Sequence, residues 1–388
     1  MKKIIIVNNN MEIGGVQKSL HNLLWAIHDR YDVTLCLFRA GGVYMEQLPP
    51  DVKVITCQGP FRYLGINQAR CVGIHKLLRG ALALTAHCFG RNAAMKLMLA
   101  GEKTLPQTYD CAIAYLHNGK IGNFYGGVQE YVLHKIRARK KVAFLHGDYG
   151  NCGANHPVNN RLIGKFDRIA ACSDGCRRVF EKLLPELAHK CVTVRNCHRV
   201  DQIRQLADTD PVEYEPGCRN VVMVSRLSRE KGIERAVAAV AHSVEQGIPV
   251  MLHIVGGGPM RPMLAETAEK KQIGKWVRFY GEQTNPYRYM KNADLFLMTS
   301  YHEAAPMVIE EATCLGVPVL STRTTSSEDM IVKRGCGWVC ENSQEALDSA
   351  LLDTLRDHAR LGALKAKLQS RPVNNGEATA QFVSLIEG

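Results

Sequence analysis

The sequence predicts an α/β protein with two doubly wound parallel sheets, one in each half of the chain. Short runs of β-branched and aliphatic residues recur in both halves and are separated by stretches with helical periodicity. These runs are nearly continuous in apolar residues, as in parallel strands that are buried on both faces. At 388 residues the chain is too long for one ordinary core, which favours two domains.

Each predicted element follows from a local pattern. The apolar runs predicted to be strands are residues 4–7, 33–38, 52–56, 111–115, 142–145 and 169–172 in the first half, and 221–224, 251–255, 277–280, 295–298 and 317–320 in the second. Helices are predicted between them, for example over residues 16–27. A long helical stretch over 343–368 and a short helix over 377–387 follow the last strand.

An acidic, proline-bearing stretch, ADTDPVEYEPG at residues 207–217, is predicted to be an interdomain linker. It divides the chain into an N-terminal domain over 1–206 and a C-terminal domain over 218–371. The last helix, within 372–388, is expected to pack back on the N-terminal domain. Asp208 and Asp210 form a DxD sequence, but metal binding is disfavoured because they follow no buried strand.

The net charge of +12 is concentrated in the first half. Residues 1–205 carry 29 Lys and Arg against 14 Asp and Glu, whereas residues 206–388 carry 20 against 23. A strongly basic domain predicts an acidic partner, such as a phosphate-rich polymer, anionic lipid or nucleic acid.

Targeting and cysteine patterns favour a reducing, cytoplasmic location. No window holds the roughly 18–20 apolar residues of a membrane span, and the apolar run in MKKIIIVNNN is too short for a signal peptide. The 14 cysteines are scattered, and the closest pairs, Cys172 with Cys176 and Cys336 with Cys340, have CxxxC spacing. They are expected to be buried thiols, without a bound metal.

Ligands of doubly wound sheets bind beyond the carboxyl ends of the strands, so motifs that follow strands are the candidates. Arg226 and Lys231, in SRLSREKG, can together neutralise a diphosphate, although solvated surface charge explains the pair equally well. Gly256, Gly257 and Gly258 form a glycine-rich turn after the next strand. This is a weak signal alone, and since the full dinucleotide pattern is missing, a nicotinamide dehydrogenase is disfavoured.

Two glutamates flank a predicted helix start in YHEAAPMVIEEATCLGVPV. Pro306 favours the helix start, which puts Glu303 in the preceding loop and Glu311 inside the helix. The free N–H groups of Met307 and Val308 can bind a phosphate while the carboxylates accept from hydroxyls, and a nucleotide sugar has both groups. The spacing alone also permits acid and base hydrolysis by two carboxylates.

Two motifs of the first half also follow strands. Gly14 and Gly15, at a helix entry, permit close approach of an anion, and a plain turn is the alternative. His146, in LHGDYGN, can bond a sugar hydroxyl or a developing charge, and an ordinary loop histidine is the alternative.

Residues 61–103 are basic and apolar together, with leucines interleaved among cations. This mixture predicts an interfacial helix attracted to anionic lipid, or else a core-facing helix with solvated cations. The cations assigned to a membrane or acceptor surface are Arg62, Arg70, Lys76, Arg79, Arg91 and Lys96. A second basic cluster, KIRARKK at 135–141, is a candidate for the same surface.

Taken in order, these motifs, including the series ExxPxxxxEAxxxGxPV, resemble those of a family 4 retaining glycosyltransferase with the GT-B fold, in which two Rossmann-like domains face each other across a cleft. The resemblance is strongest over about residues 221–337. It implies that Arg226 and Lys231 bind the donor diphosphate, Glu303 the donor sugar and Glu311 the ribose. It also implies that the N-terminal glycine pair approaches the phosphate and that His146 lies near the sugar.

The resemblance implies transfer with retention, without metal or other cofactor, from a nucleotide-sugar donor for which UDP is the favoured nucleotide. Where the family commonly has Gly after its first Glu, this chain has Ala304, which bears on the identity of the sugar. The basic first domain predicts an anionic or lipid-linked glycan acceptor, in cell-surface polysaccharide biosynthesis at the inner face of a membrane. No nucleic-acid partner is expected, because the sequence lacks the aromatic platform typical of RNA-binding domains. The alternatives are an epimerase or phosphorylase of the same fold, and a non-catalytic binder of acidic polymer.

Overall fold

The computed structural model describes residues 1–64, 73–121, 126–214 and 216–388. The chain divides into two compact units: unit 1 contains Met1–Cys197 and Asn375–Gly388, and unit 2 contains His198–Asn374. The charge follows this division. Unit 1 has 27 Lys and Arg against 15 Asp and Glu, whereas unit 2 has 22 against 22.

Unit 1 contains a seven-stranded parallel sheet with the strand order β3-β2-β1-β4-β5-β6-β7. Its strands are β1 (Lys3–Asn8), β2 (Asp32–Leu37), β3 (Lys53–Thr56), β4 (Thr108–Ala114), β5 (Arg137–Leu145), β6 (Arg168–Ala171) and β7 (Cys191–Thr193). Its helices are α1 (Gly15–Ile27), α2 (Gly73–Phe89), α3 (Arg91–Gly101), α4 (Val128–Lys135), α5 (Pro157–Ile163), α6 (Asp174–Leu183) and the C-terminal α14 (Gly376–Glu387). Phe382 and Leu385 of α14 pack into the same core as the central strands.

Unit 2 contains a six-stranded parallel sheet with the strand order β10-β9-β8-β11-β12-β13. Its strands are β8 (Arg219–Val224), β9 (Val250–Val255), β10 (Val277–Gly281), β11 (Leu295–Met298), β12 (Val319–Thr322) and β13 (Gly337–Cys340). Its helices are α7 (Val200–Asp208), α8 (Ile233–Glu245), α9 (Arg261–Lys270), α10 (Tyr287–Met290), α11 (Met307–Cys314), α12 (Gln344–Arg356) and α13 (His358–Gln369).

Helices cover both faces of the unit 2 sheet. Along β11, Leu295 and Leu297 pack into one hydrophobic cluster, whereas Phe296 and Met298 pack into another. Successive side chains of a strand point to opposite faces, so both faces are buried. This explains why the strands are largely apolar and show no alternation with polar residues.

The structure confirms the eleven predicted strands within a few residues of their ends and the predicted class of two parallel α/β sheets. Two strands were missed, β7 and β13, which lie at sheet edges and span only three and four residues. The helical stretch predicted over 343–368 is two helices, because Asp357 ends α12 and caps α13 by accepting from the Arg360 N–H at 3.0 Å.

The predicted boundary between the domains is displaced. Residues 1–206 were assigned to the N-terminal domain and 207–217 to the linker, whereas α7 lies wholly in unit 2. Val200, Ile203 and Ala207 of α7 pack into the unit 2 core. The apolar face of α7 therefore places this helix in unit 2, and the acidic stretch that follows it does not mark the boundary between the units.

Candidate functional site

The loop between β8 and α8 carries Arg226 and Lys231. Directly after Lys231, Gly232 has a left-handed conformation with φ 57°, and a Cβ at this position would lie 2.4 Å from the carbonyl oxygen of Thr299. The Thr299 hydroxyl donates to the Gly232 carbonyl oxygen at 2.8 Å. Since Thr299 directly follows β11, these contacts fasten the loop to the carboxyl end of a neighbouring strand.

Lys231 and Glu303 form an ion pair. The distance from Lys231 Nζ to Glu303 Oε1 is 2.6 Å, and the Ser300 hydroxyl donates to the same oxygen at 2.8 Å. Their side chains are only 21% and 14% exposed, so solvent screens this pair less than a surface pair. The structure therefore brings together one of the predicted cations and one of the predicted carboxylates, from two different loops.

Arg226 has a different environment. Its side chain is 79% exposed, and Nη2 lies 3.3 Å from Oε1 of Glu230 in the same loop. The Ser228 hydroxyl donates to that oxygen at 2.6 Å, and this hydrogen bond is the largest cause of the lowered pKa of Glu230. The guanidinium of Arg226 is therefore open to solvent, whereas Lys231, in the same loop, is held by its ion pair with Glu303.

The glycine-rich turn after β9 packs against the loop after β8. Gly256 and Gly258 have φ values of 145° and 156°, and a Cβ there would lie 1.8 Å from the Ser225 carbonyl oxygen and 2.4 Å from that of Leu227. The Leu227 N–H donates to the Gly257 carbonyl oxygen at 2.8 Å. Glycine is required at both positions because two backbones touch.

Helix α11 begins at Met307, directly after Pro306, as predicted. Glu303 lies in the loop before it, and the N–H groups of Met307 and Val308 lie in its first turn. Glu311 is 1% exposed and lies within unit 2. The two glutamates therefore have separate surroundings, one at an ion pair and one buried in the helix.

The predicted glycine pair of unit 1 lies at the start of α1. Gly14 is the N-cap residue with an extended φ of 177°, and α1 begins at Gly15. Within the described part of the chain, a Cβ added at Gly15 would meet no heavy atom within 4 Å, and one at Gly14 would meet only the Gln17 side chain. Backbone strain therefore does not explain either glycine, and the turn leaves the helix N-terminus open to approach.

His146 directly follows β5, and its imidazole lies against two aromatic rings. The ring centroids are 4.4 Å from Tyr115 and 5.6 Å from Phe144. Its Nε2 is buried and has no hydrogen-bond partner among the described residues. Burial, and then the neighbouring His117, lowers the pKa of His146 to about 3. The ring is therefore neutral at physiological pH and can exchange a hydrogen bond with a hydroxyl.

His117 was not predicted as a site residue, and the structure places it beside His146. Its Nδ1 accepts the backbone N–H of His146 at 3.3 Å, and its Nε2 lies 3.5 Å from Sγ of Cys152. The sequence does contain a signal for His117. It comes two positions after the strand predicted at 111–115, much as His146 comes directly after the strand predicted at 142–145. The polar residue Ser300 was also missed, although it precedes Glu303 by only three positions.

Helices α2 and α3 and the turn before them carry the predicted surface cations. Arg62, Lys76 and Lys96 are exposed, and Arg79 is half-buried, with Nη1 donating to the Tyr63 carbonyl oxygen at 3.1 Å. Arg70 lies outside the described residues. In the KIRARKK cluster, Arg137 and Arg139 are exposed at the amino end of β5, the end opposite His146.

The assignment of Arg91 to this surface was wrong. Its side chain is 6% exposed, and Nη1 lies 2.6 Å from Oε1 of Glu130, which is 7% exposed. Nδ2 of Asn118 donates to both oxygens of the same carboxylate at 3.1 Å. A buried cation needs such a partner, so Arg91 links α3 to α4 inside unit 1.

The DxD aspartates and the described cysteines other than Cys152 have no part in the site described above. Asp208 pairs with Lys291, and Asp210 with Arg288. Most described cysteines are buried, as expected, but Cys88 is exposed. Among the described residues, no His, Cys, Asp and Glu side chains gather in threes or more to hold a metal ion, and no helix has the length and apolar character needed to cross a membrane.

Comparison with known proteins finds a family match in the second half of the chain. Residues 214–378 match the family glycosyl transferases group 1. The lipopolysaccharide glucosyltransferase WaaG of Escherichia coli strain K12 is 33% identical over 129 residues, 32% of this chain and 34% of that protein. The uncharacterized glycosyltransferase MJ1059 of Methanocaldococcus jannaschii is 27% identical over 153 residues, 38% of this chain and 37% of that protein. The chain thus spans little more than a third of the length of these relatives.

The fold is also that of solved structures, among them WaaG, a glycosyltransferase involved in lipopolysaccharide biosynthesis, with a TM-score of 0.62 and 17% identity. The crystal structure of Anabaena Alr3699/HepE in complex with UDP and glucose has a TM-score of 0.66 and 18% identity, with 100% of both chains covered. At this identity the likeness establishes the fold alone. The predicted GT-B class, with two Rossmann-like domains, is confirmed.

Proposed function

We propose that this chain, which carries a glycosyl transferases group 1 domain over residues 214–378, is a retaining glycosyltransferase that moves a hexose-type sugar from a nucleotide diphosphate sugar to an anionic or lipid-linked glycan. The observation that carries the proposal is the ion pair between Lys231 and Glu303 beside the exposed Arg226. It puts a group for the diphosphate next to a group for the sugar. The pathway proposed for this transferase is the biosynthesis of a cell-surface polysaccharide.

The proposed reaction breaks the bond between the anomeric carbon and the diphosphate oxygen. The acceptor oxygen bonds to the same carbon on the same face, and its proton passes to the leaving diphosphate. Arg226 and Lys231 stabilise the negative charge that develops on this leaving group. Because two cations are available for that task, we propose that no metal ion or other cofactor is needed. We propose UDP as the nucleotide, which is the one bound in the HepE structure.

The remaining site residues are assigned from the resemblance of the sequence motifs to those of family 4 retaining glycosyltransferases. Glu311 would accept from the ribose hydroxyls, and the N–H groups at the start of α11 and of α1 would face phosphate oxygens. His146, neutral because burial lowers its pKa, would bond a hydroxyl of the transferred sugar. Unit 1, with 27 basic against 15 acidic residues, is the proposed acceptor domain.

Helix α2 supports a peripheral attachment to the inner face of the cell membrane. Ile74, Leu77, Leu84 and Phe89 are 62–77% exposed, and at helical spacing they share an arc of about 140°. Neither α2 nor α3 contains an acidic residue, and Lys76 is exposed. At helical spacing Lys76 lies on the face opposite this apolar stripe. An apolar face opposed by a basic face suits the surface of an anionic bilayer.

The experiment that tests the proposal is a panel of UDP-, GDP- and ADP-sugars, with the melting temperature measured for each. A donor at a hundredfold excess over its Kd stabilises the folded state by roughly 3 kcal/mol, so the true donor class will raise the melting temperature clearly. The same donor is then incubated with a lipid-linked glycan, with and without EDTA, and the anomeric configuration of the product is read by NMR. Sugar chemistry without any acceptor would favour the epimerase or phosphorylase. Salt-sensitive binding of acidic polymer without any donor response would favour the non-catalytic binder.

A further inference from the structure

The proposed reaction gives no task to His117, although this histidine is in contact with His146. The two residues follow β4 and β5, which are neighbours in the unit 1 sheet. They therefore project from the same sheet edge, where ligands of doubly wound folds bind.

The hydrogen bonds of His117 define which of its nitrogens carries the proton. Nδ1 accepts the backbone N–H of His146 at 3.3 Å, and an accepting nitrogen has no proton of its own. The proton of the neutral ring is therefore on Nε2, which lies 3.5 Å from Sγ of Cys152. His117 thus bridges the end of β5 and the loop that follows it.

This bridge is tightly packed. A Cβ added at Gly147 would lie 3.0 Å from Nε2 and 3.1 Å from Cε1 of His117, closer than ordinary side-chain contacts. Burial lowers the pKa of His117 to about 4, so the ring stays neutral and Nδ1 remains an acceptor at physiological pH.

The backbone that His117 holds also determines where the His146 imidazole points. That ring lies against Tyr115 and Phe144, with its Nε2 buried and unpartnered among the described residues. A small shift of the His146 backbone would move the ring off these contacts. Misplacement of a group that contacts the reacting substrate by about 1 Å can cost on the order of 100-fold in rate.

We propose that His117 is a positioning residue for transfer: by holding the His146 backbone N–H, it fixes the direction in which the His146 imidazole meets the substrate. This inference rests on the proposed function, in which His146 contacts the transferred sugar. The necessary feature of His117 is an acceptor at the position of Nδ1, and its link to Cys152 is secondary.

Two substitutions separate the acceptor from the bulk of the ring. H117N keeps an oxygen near the position of Nδ1, whereas H117L keeps volume and loses the acceptor. We expect H117L to lower kcat by roughly 10- to 100-fold, with the donor KM little changed, and H117N to restore most of the rate. The exposed His189, changed in H189N, is the control. Equal loss in H117N and H117L, or no loss in either, would overturn the proposal.

A double-mutant cycle with H146A tests whether His117 acts through His146. If it does, adding H117L to H146A will cause no further loss of kcat. Independent, multiplicative losses would show that His117 acts elsewhere. Full activity of H146A would instead contradict the role of His146 in the proposed function.

A measurement without substrate keeps the inference testable if H117L is unstable or if no transfer is found. In the ¹⁵N NMR spectrum of the wild-type protein, the His117 ring should show the tautomer with the proton on Nε2. The ring shifts of His146 should change in H117L, or in H117Q if H117L does not fold, and return in H117N. A proton on Nδ1 of His117, or unchanged His146 shifts, would refute the positioning role whatever the reaction is.

Discussion

At the scale of one residue, the contacts of Lys231 hold its side chain in place, as its proposed binding of a diphosphate requires. Its ammonium lies 2.6 Å from Oε1 of Glu303, and the Ser300 hydroxyl donates to the same carboxylate oxygen. The lysine therefore has a fixed position, while part of its surface remains exposed. Because Arg226 extends into solvent from the same loop, the two cations differ in exposure as well as in shape.

We predict that Lys231→Ala abolishes transfer and leaves the fold intact. Loss of one group that stabilises developing charge costs on the order of 100- to 1000-fold in kcat. The pair is partly exposed, so its loss should change the free energy of unfolding by only about 1 kcal/mol. Turnover and thermal unfolding of K231A should be compared with those of R229A, a substitution of an exposed arginine two positions earlier. Near-normal turnover in folded K231A would refute the assignment.

The sequence motifs pointed to some of the candidate site residues and not to others. The order of motifs singled out Lys231 and Glu303, and the structure pairs their side chains, because each follows a strand and the carboxyl ends of parallel strands meet. It misassigned Arg91, since a buried ion pair with Glu130 depends on a partner 39 positions away. It missed His117 for a related reason: its hydrogen bond to the backbone of His146 links two strands, and local sequence patterns do not encode such contacts.

At the scale of elements, long apolar strands were predictable and edge strands were not. A strand such as β8, buried on both faces, contains a continuous apolar run, VVMV at residues 221–224. β13, with the sequence GWVC, lies at a sheet edge and is too short to give a periodic signal. Glycines at the turns were recognisable, but only the structure shows which of them, Gly232, Gly256 and Gly258, are required by backbone contacts.

Helix α2 carries the prediction that belongs to the scale of an element. We expect the protein to sediment with vesicles that contain phosphatidylglycerol and to bind vesicles of phosphatidylcholine alone much more weakly. Each cation near an anionic surface contributes about 1 kcal/mol, so K76E should weaken binding at least fivefold, and salt should weaken it further. L77S combined with L84S removes two exposed apolar side chains and should weaken binding to both kinds of vesicle.

The control for these variants lies in the other unit. V332S removes an exposed apolar side chain from unit 2 and should leave sedimentation unchanged. All α2 variants should retain donor-induced stabilisation, because none of the residues assigned to the donor lies on α2. Equal sedimentation with neutral and anionic vesicles would count against the membrane proposal.

At the scale of the whole molecule, acid should weaken both units through buried neutral histidines. Burial lowers the pKa to about 4 for His117 and about 3 for His146 in unit 1, and to about 4 for His253 in unit 2. In the unfolded chain a histidine has a pKa of about 6.5. Below that pH the unfolded chain binds protons that the folded units still exclude, so stability is full above about pH 6.5 and falls as the pH drops toward 4.

The contribution of His253 to this loss can be measured separately. Its ring is 3% exposed, its Nδ1 lies 2.9 Å from the Tyr280 hydroxyl and its Nε2 lies 3.0 Å from Asn220 Oδ1. Each such histidine makes the free energy of unfolding fall by up to about 1.4 kcal/mol per pH unit. Urea unfolding between pH 7.5 and 4.5 should therefore show a shallower pH dependence for H253Q, even if H253Q is less stable at every pH. H302Q, at an exposed position, should keep the wild-type dependence. If H253Q and the wild type lose stability in parallel, His253 is not a source of the acid sensitivity.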